Sequence, residues 1–174
     1  MAFPAHILSV INSIRRGIDV ALQNNCLGSS VILILSAVDT MAYVSMPQAQ
    51  QDVTRTDFMN WTDRYIRFPG TEQLTRADLY GARCAMLHSY WVRSRMSRQG
   101  DCRMVGYMDE SSPPIRFDPK VSKELVLVSI PALKEALYQG MEQFLNDFYG
   151  QPETAKLADE RFNTIVGQFP VDDL

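Results

Sequence analysis

The sequence contains little histidine and little cysteine, the two side chains that most often bind zinc. Its 174 residues include two histidines and three cysteines, with no C-x-x-C pair among Cys26, Cys84 and Cys102. Because zinc sites usually draw four ligands from closely spaced pairs, we expect neither a metal nor another cofactor. An odd number of widely spaced cysteines fits a reducing compartment better than a secreted disulfide scaffold, so we expect a cytoplasmic protein without a signal peptide.

No uninterrupted apolar run is long enough to span a bilayer. The most apolar segment, residues 29–45, has the sequence SSVILILSAVDTMAYVS, and its unbroken apolar part extends only from Val31 to Leu35. A membrane helix needs about 20 predominantly apolar residues, and Asp39 would lie near the middle of this one. The segment therefore predicts a buried core helix, and we expect no membrane partner.

The common catalytic signatures are also missing. The sequence contains no P-loop, no G-x-G-x-x-G and no H-E-x-x-H motif, which excludes the nucleotide-binding and zinc-protease classes that these motifs mark. The composition is that of an ordinary globular protein, with 46% hydrophobic residues, 21% charged residues and a net charge of -3. Such a composition argues against an intrinsically disordered chain.

The length and the hydrophobic spacing indicate the fold class. A chain of 174 residues without an internal repeat or a long linker predicts a single domain over residues 1–174. Apolar residues recur every three or four positions in the first segment, which predicts an amphipathic helix. These residues are Ile7, Ile11, Ile14, Ile18 and Leu22. Similar spacing farther along the chain predicts a mostly α protein, a bundle of about five to six helices.

Two capping boxes mark helix starts in the middle of the chain. Thr54 precedes Asp57 by three residues, and Thr75 precedes Asp78 in the same way. In each pair the threonine hydroxyl and the acidic side chain can satisfy backbone N–H groups at the start of a helix. The second box predicts one continuous helix from Thr75 to Gly100.

After Gly100 the apolar pattern changes to two short β-like runs, at residues 103–108 and 124–130. We expect them to pair as a small two-stranded β-hairpin inserted into the bundle, with a proline-bearing loop between them. Pro131 is predicted to begin the next helix. Proline has no N–H to donate, and it is tolerated in the first turn because the first N–H groups of a helix have no partner within it. A last helix is predicted from Thr154 to Val166.

Positive charge is concentrated before the last third of the chain. The first 120 residues carry 13 Lys and Arg against 11 Asp and Glu, whereas the rest carries 4 against 9. Thirteen of the 17 basic residues are arginine, which suits planar contacts with carboxylate or phosphate. We predict that Arg93, Arg95 and Arg98 bind the phosphates of RNA or of a nucleotide. The alternative is that they are solvated cations at the end of a helix.

One short segment combines side chains that could carry out chemistry without a metal. Residues 78–90, DLYGARCAMLHSY, place His88 beside Arg83 and two tyrosines, one of which is Tyr90. Histidine is the side chain whose ordinary pKa lies nearest neutrality, and it commonly serves as general acid or base. A nearby arginine can bind a phosphate and offset its developing negative charge. The combination suits RNA cleavage, in which the 2′-hydroxyl is the nucleophile.

The spacing of Arg83 and His88 leaves two arrangements open. Five residues correspond to about 140° around an ideal helix, so the side chains diverge unless the helix starts or bends between them. They could instead meet across a symmetric dimer in which each helix contributes one member. Cys84 lies on the same helix face as His88, but no orienting acid or oxyanion hole supports a Cys-His nucleophile.

Arg83, His88 and Tyr90, in the pattern R-x4-H-x-Y, resemble the motif of HEPN domains, in particular the form found in HEPN toxins of toxin-antitoxin pairs. Members of that family are compact helical bundles, usually dimers, and many are metal-independent ribonucleases whose arginine and histidine face each other at the dimer interface. The resemblance implies a homodimeric endoribonuclease. Arg83 would bind the scissile phosphate, His88 would be the general acid or base, and Tyr90 would support the site.

A non-enzymatic function is the alternative hypothesis. The absence of strong catalytic motifs and the acidic last third of the chain fit a helical interaction module with a protein partner, as part of a defence or regulatory complex. If Arg83 and His88 have only a structural role, Arg83 pairs with Asp78 or with an acidic residue of the C-terminal helices. His88 is then a half-buried residue that donates a hydrogen bond to a carbonyl.

Overall fold

A computed structural model describes residues 3–165, which form seven helices and three short strands. The predicted mostly α bundle with a small β insertion is confirmed, although the helices exceed the predicted five to six. The helices are α1 (Ala5–Gln23), α2 (Leu27–Ser45), α3 (Arg55–Tyr65), α4 (Arg76–Ser89), α5 (Arg95–Gln99), α6 (Ile130–Tyr149) and α7 (Pro152–Phe162). The strands are β1 (Met104–Met108), β2 (Ile115–Arg116) and β3 (Leu125–Ser129). The predicted helix end at Val166 lies outside the described residues.

The apolar helix α2 lies at the centre of the bundle. It packs against α1, α3, α4, α6 and α7, and buried residues lie on most of its sides. A helix that is apolar nearly all round needs to be surrounded by other elements, and the predicted core position of this segment is confirmed. Its length and composition would also suit a membrane span. Asp39 is its only charged residue.

Both predicted capping boxes are present. Thr54 accepts a hydrogen bond from the backbone N–H of Asp57 and starts α3, and Thr75 accepts one from Asp78 and starts α4. Pro131 lies in the first turn of α6, where Ser129 is the N-cap. These starts follow from local hydrogen bonding, which explains why the sequence predicted them correctly.

The prediction of one helix from Thr75 to Gly100 is wrong, because the helix is interrupted after Ser89. Tyr90 adopts a left-handed conformation with φ of 51°, and its N–H donates to the carbonyl of Met86. Ser94 then forms a new N-terminal cap that starts the short helix α5, which ends at Gly100 as predicted. Arg93 therefore lies in the break, and the segment after it folds back along α4.

The β-hairpin prediction is also wrong in topology. The two predicted strands do pair, but β1 and β3 run parallel, with Met104 opposite Leu125 and Met108 opposite Ser129. The connection between them is longer than the dozen or so residues that a parallel crossover needs, so a tight turn is not required. Within that connection β2 adds antiparallel to the other edge of β3, giving the order β1-β3-β2.

A buried arginine joins the last helix to the centre of the bundle. The side chain of Arg161, on α7, donates hydrogen bonds to the backbone carbonyls of Tyr43 and Val44 at 3.1 and 2.9 Å, to that of Pro47 at 2.8 Å, and to that of Met46. The last carbonyls of a helix have no partner within it, and a cation there also offsets the negative end of the helix dipole. Arg161 thus caps α2 from another helix.

We predict that Arg161→Met lowers the free energy of unfolding by about 2 to 4 kcal/mol, because several inward-facing carbonyls lose a charged donor at once. Arg161→Lys should lose less stability than Arg161→Met, because it keeps the positive charge. It should still lose some, since an ammonium serves fewer carbonyls than a guanidinium does. Urea unfolding at neutral pH measures both changes. The control is Arg116→Gln, whose exposed pair with Glu110 is worth less than about 1 kcal/mol. Equal losses for Arg161→Met and this control would contradict the capping role.

Candidate functional site

Arg83 lies on α4 and points toward the central helix. Its Nε donates a hydrogen bond to Oδ2 of Asp39 on α2 at 3.0 Å, and the two side chains are 24% and 21% exposed. This corrects the expectation that its partner would be Asp78 or a C-terminal acid. Within residues 3–165 only Nε of this guanidinium forms a hydrogen bond. In the described part of the chain its two terminal nitrogens therefore have no hydrogen-bond partner.

The electrostatics of this pair reflect its burial. Burial raises the pKa of Asp39 more than the hydrogen bond and the charge of Arg83 lower it. Burial also opposes the charge on Arg83, but the hydrogen bond and the charge of Asp39 raise the pKa of Arg83 above its ordinary value. The carboxylate is therefore more costly to ionise than it is in water, and it depends on the guanidinium beside it.

His88 is exposed in the last turn of α4. No hydrogen bond to its ring is formed by any group in the described part of the chain, so it is not the half-buried donor of the alternative hypothesis. On a regular helix His88 and Arg83 are about 7.5 Å apart along the axis and about 140° apart around it. The structure thus leaves both side chains accessible but does not bring them together within one chain.

Tyr90 and Trp91 follow Ser89, the last residue of α4. The N–H groups of Tyr90 and Trp91 donate to the carbonyls of Met86 and Ala85, a hydrogen-bonded helix end that usually has glycine at the left-handed position. The Tyr90 hydroxyl rests against Gly28 at the start of α2, so closely that a Cβ on this glycine would overlap it. Nevertheless Tyr90 is 60% exposed and Trp91 is 52% exposed.

A cleft of about 830 Å³ opens at the other end of α4, between α5 and the starts of β1 and β3. Arg93 and Arg98 line it, which brings together two of the three arginines that the sequence indicated. Arg95 is not part of its lining, and its Nε donates to Gln99 instead. We call the group that lines this opening the basic cleft. It comprises Thr75, Asp78, Arg93, Ser97, Arg98, Gln99, Gly100, Cys102, Arg103, Met104, Lys123 and Glu124.

A buried ion pair fixes one side of the basic cleft. The Asp78 carboxylate accepts from the backbone N–H of Arg103 at 2.8 Å and from its guanidinium at 2.6 and 3.1 Å. Burial favours a neutral carboxyl here, but hydrogen bonds from Arg103 and Thr75 hold the pKa of Asp78 below its ordinary value. The same carboxylate caps α4, so it joins the start of that helix to the start of β1. Asp78 therefore neutralises Arg103, and within residues 3–165 the other cations of the cleft form no ion pair.

Several residues of this region escaped the sequence analysis. Lys123 and Glu124 precede a strand and carry no motif, and they reach the cleft only because β3 pairs in parallel with β1. Asp39, the partner of Arg83, was also missed. Its charge in an apolar segment argued against a membrane span, but it also indicated an ion pair. A lone carboxylate in a core helix needs a buried cation, and that requirement could have led to Arg83.

No family model, no curated protein and no solved structure matches the chain. Within residues 3–165 no group of three His, Cys, Asp or Glu side chains gathers as a metal-ligand set.

We predict that Asp78→Asn lowers the free energy of unfolding by about 3 to 5 kcal/mol at neutral pH, because the Arg103 guanidinium loses its buried counter-charge. The folded-state pKa of Asp78 is below its ordinary 3.8, so its contribution is fully present above that pH and is lost as the pH falls through the folded-state value. Urea unfolding of both proteins between pH 7 and pH 3 should therefore show a shrinking difference. A difference that stays constant with pH would contradict this assignment.

Proposed function

We propose that this chain is a HEPN-like, metal-independent endoribonuclease of the cytoplasm that acts as a homodimer. In this proposal Arg83 binds the scissile phosphate through its terminal nitrogens, and His88 is the general acid or base. Tyr90 supports the site at the end of the same helix. The basic cleft binds RNA away from the cleaved bond.

The observation that carries this proposal is the orientation of the Arg83 guanidinium. Asp39 engages only Nε, so the terminal nitrogens remain able to donate two parallel hydrogen bonds to a phosphate. Being held by a partly buried carboxylate also preorganises the arginine, since its orientation is fixed before the substrate arrives. His88 lies on the same helix and is exposed. A general acid or base for RNA needs this exposure, because the RNA has to reach the ring.

The divergence of the two side chains supports a shared site between two copies. If two α4 helices meet around a two-fold axis, Arg83 of one copy faces His88 of the partner subunit, and the symmetric pair lies beside it in a common cleft. One imidazole would take the proton of the 2′-hydroxyl as its oxygen attacks phosphorus. The other would protonate the departing 5′ oxygen, leaving a 2′,3′-cyclic phosphate and a 5′-hydroxyl. No metal is needed for this step, because arginine offsets the charge on the phosphate.

The second candidate function is a protein-interaction module, and one observation favours it. Trp91 is 52% exposed and Val92 is 38% exposed, directly beside Tyr90. Adjacent exposed apolar side chains are a feature of protein interfaces, where tryptophan and tyrosine are enriched. On this hypothesis the segment binds a protein partner and His88 has no role in catalysis.

We predict that the purified protein cleaves single-stranded RNA in the presence of EDTA and produces 2′,3′-cyclic phosphate ends. His88→Ala should reduce the rate by about 100-fold or more, the usual contribution of a general acid or base. Arg83→Gln should reduce it similarly through loss of the phosphate contact. End-group analysis of the products with initial-rate measurements checks both effects.

The matched control is His6→Ala, which removes the other histidine, a residue of α1 that faces Asp159. This variant should keep the wild-type rate. Circular dichroism of each variant excludes unfolding as the cause of a loss. Intact RNA with the wild-type protein, or equal rates for His88→Ala and His6→Ala, would refute the ribonuclease proposal.

A further inference from the structure

We infer that the chain binds single-stranded RNA along a surface that runs from the aromatic pair Tyr90 and Trp91 into the basic cleft. In this arrangement the two rings stack on unpaired bases, and Arg93, Arg98 and Lys123 bind the phosphates that follow. The inference deepens the proposed function, because it takes RNA as the ligand. It does not require that the RNA is cleaved.

The exposure of the aromatic pair indicates a ligand with flat apolar faces. Tyr90 and Trp91 are each more than half exposed, although α2 and the sheet offer apolar surface nearby. Nucleobases stack on exposed aromatic rings with little dependence on base identity, and arginines usually track the backbone beside them. Here an arginine follows Trp91 by only two residues, a distance of about 7 Å in extended chain.

The backbone holds the aromatic pair in place before any ligand binds. A bulky residue such as tyrosine rarely adopts a positive φ, and such strain persists only where surrounding contacts enforce it. Here the contacts are the hydrogen bonds from the N–H groups of Tyr90 and Trp91 to α4 and the close packing of the Tyr90 hydroxyl on Gly28. A preorganised surface loses less conformational entropy on binding.

The charges of the basic cleft match a phosphate chain. Asp78 is committed to Arg103, so Glu124 is the one lining carboxylate that is outside any ion pair in the described part of the chain. The same cleft is lined by three exposed cations that also form no ion pair within residues 3–165. They are Arg93, Arg98 and Lys123. The cleft volume lies within the range of ligand sites, about 300 to 1,000 Å³.

An RNA duplex fits this surface less well. Its bases are stacked on each other, so the faces that Tyr90 and Trp91 would contact are already covered. Phosphate contacts alone would remain, and these do not distinguish single from double strands. Preference for single strands is therefore the property that separates this inference from simple attraction between the cleft and a polyanion.

The test uses the full chain carrying His88→Ala, so that binding is measured without cleavage. The probe is an oligoadenylate of about 12 nucleotides, within the site sizes of single-strand binders. Tryptophan fluorescence reports stacking, since Trp91 is exposed and the other tryptophan, Trp61, is buried. We expect quenching on binding, with the affinity reduced about 10-fold by Trp91→Ala. Trp91→Phe should keep most of the affinity and lose the quenching.

Removal of cleft cations gives a second readout. Arg98→Gln and Lys123→Gln together should weaken binding and reduce the slope of log affinity against log salt by about 0.7 per cation. The matched control is Arg16→Gln, at an exposed arginine of α1. Helix α1 packs on α2 and α7 rather than on the elements that line the cleft. It should leave both the affinity and the slope unchanged.

The outcomes separate this inference from the proposed function. Quenched, salt-dependent binding to the single strand without cleavage by the wild-type protein would sustain the inference and refute the nuclease. Cleavage by the wild-type protein, with binding unaffected by Trp91→Ala and by the cleft substitutions, would refute the inference and sustain the nuclease. Equal affinity for the oligoadenylate and for its duplex with oligouridylate would overturn the inference, as would the absence of binding.

Discussion

The structure depends on the burial of one apolar helix that carries a single charge. Because α2 is covered by five other helices, its carboxylate, Asp39, lies where an unpaired charge would be costly. Arg83 on α4 supplies the counter-charge through Nε. The packing of the core therefore decides where the guanidinium of the candidate site lies and which of its nitrogens remain available.

The same helix imposes two further constraints. At its start, Gly28 leaves room for the Tyr90 ring, so the end of α4 is held against α2. At its end, Arg161 of α7 donates to the carbonyls of Tyr43 and Val44 in the last turn. The central helix thus has a contact from another element near its start, its middle and its end. Two of these contacts involve residues of the R-x4-H-x-Y pattern, Arg83 and Tyr90, which links the core to the candidate site.

The position of the basic cleft follows from the break in α4. An uninterrupted helix from Thr75 to Gly100 would have carried the following arginines away from its own first turn. Because Tyr90 ends the helix and Ser94 starts another, the chain returns along α4 and brings Arg98 close to Asp78 and Arg103. The aromatic pair stays at the turning point, and the arginines continue from it into the cleft.

Features governed by local hydrogen bonding could be predicted from the sequence, and those governed by long-range packing could not. The threonine caps and Pro131 report on a few neighbouring residues, so they identified helix starts. The left-handed Tyr90 carried no such signal, because a tyrosine there depends on a glycine far away in the chain. The parallel pairing of β1 with β3 depends on the whole crossover between them. Arg83 and His88 were identified as candidates, but the partner Asp39 requires knowledge of which helices meet.

The most direct test of this account is a double-mutant cycle on the free energy of unfolding, with Asp39→Asn, Arg83→Gln and both together. Arg83→Gln should cost more in the wild-type background than in the Asp39→Asn background, with a coupling of about 1 to 3 kcal/mol. Additive effects would show that the carboxylate of the central helix does not hold the arginine, and would contradict the account.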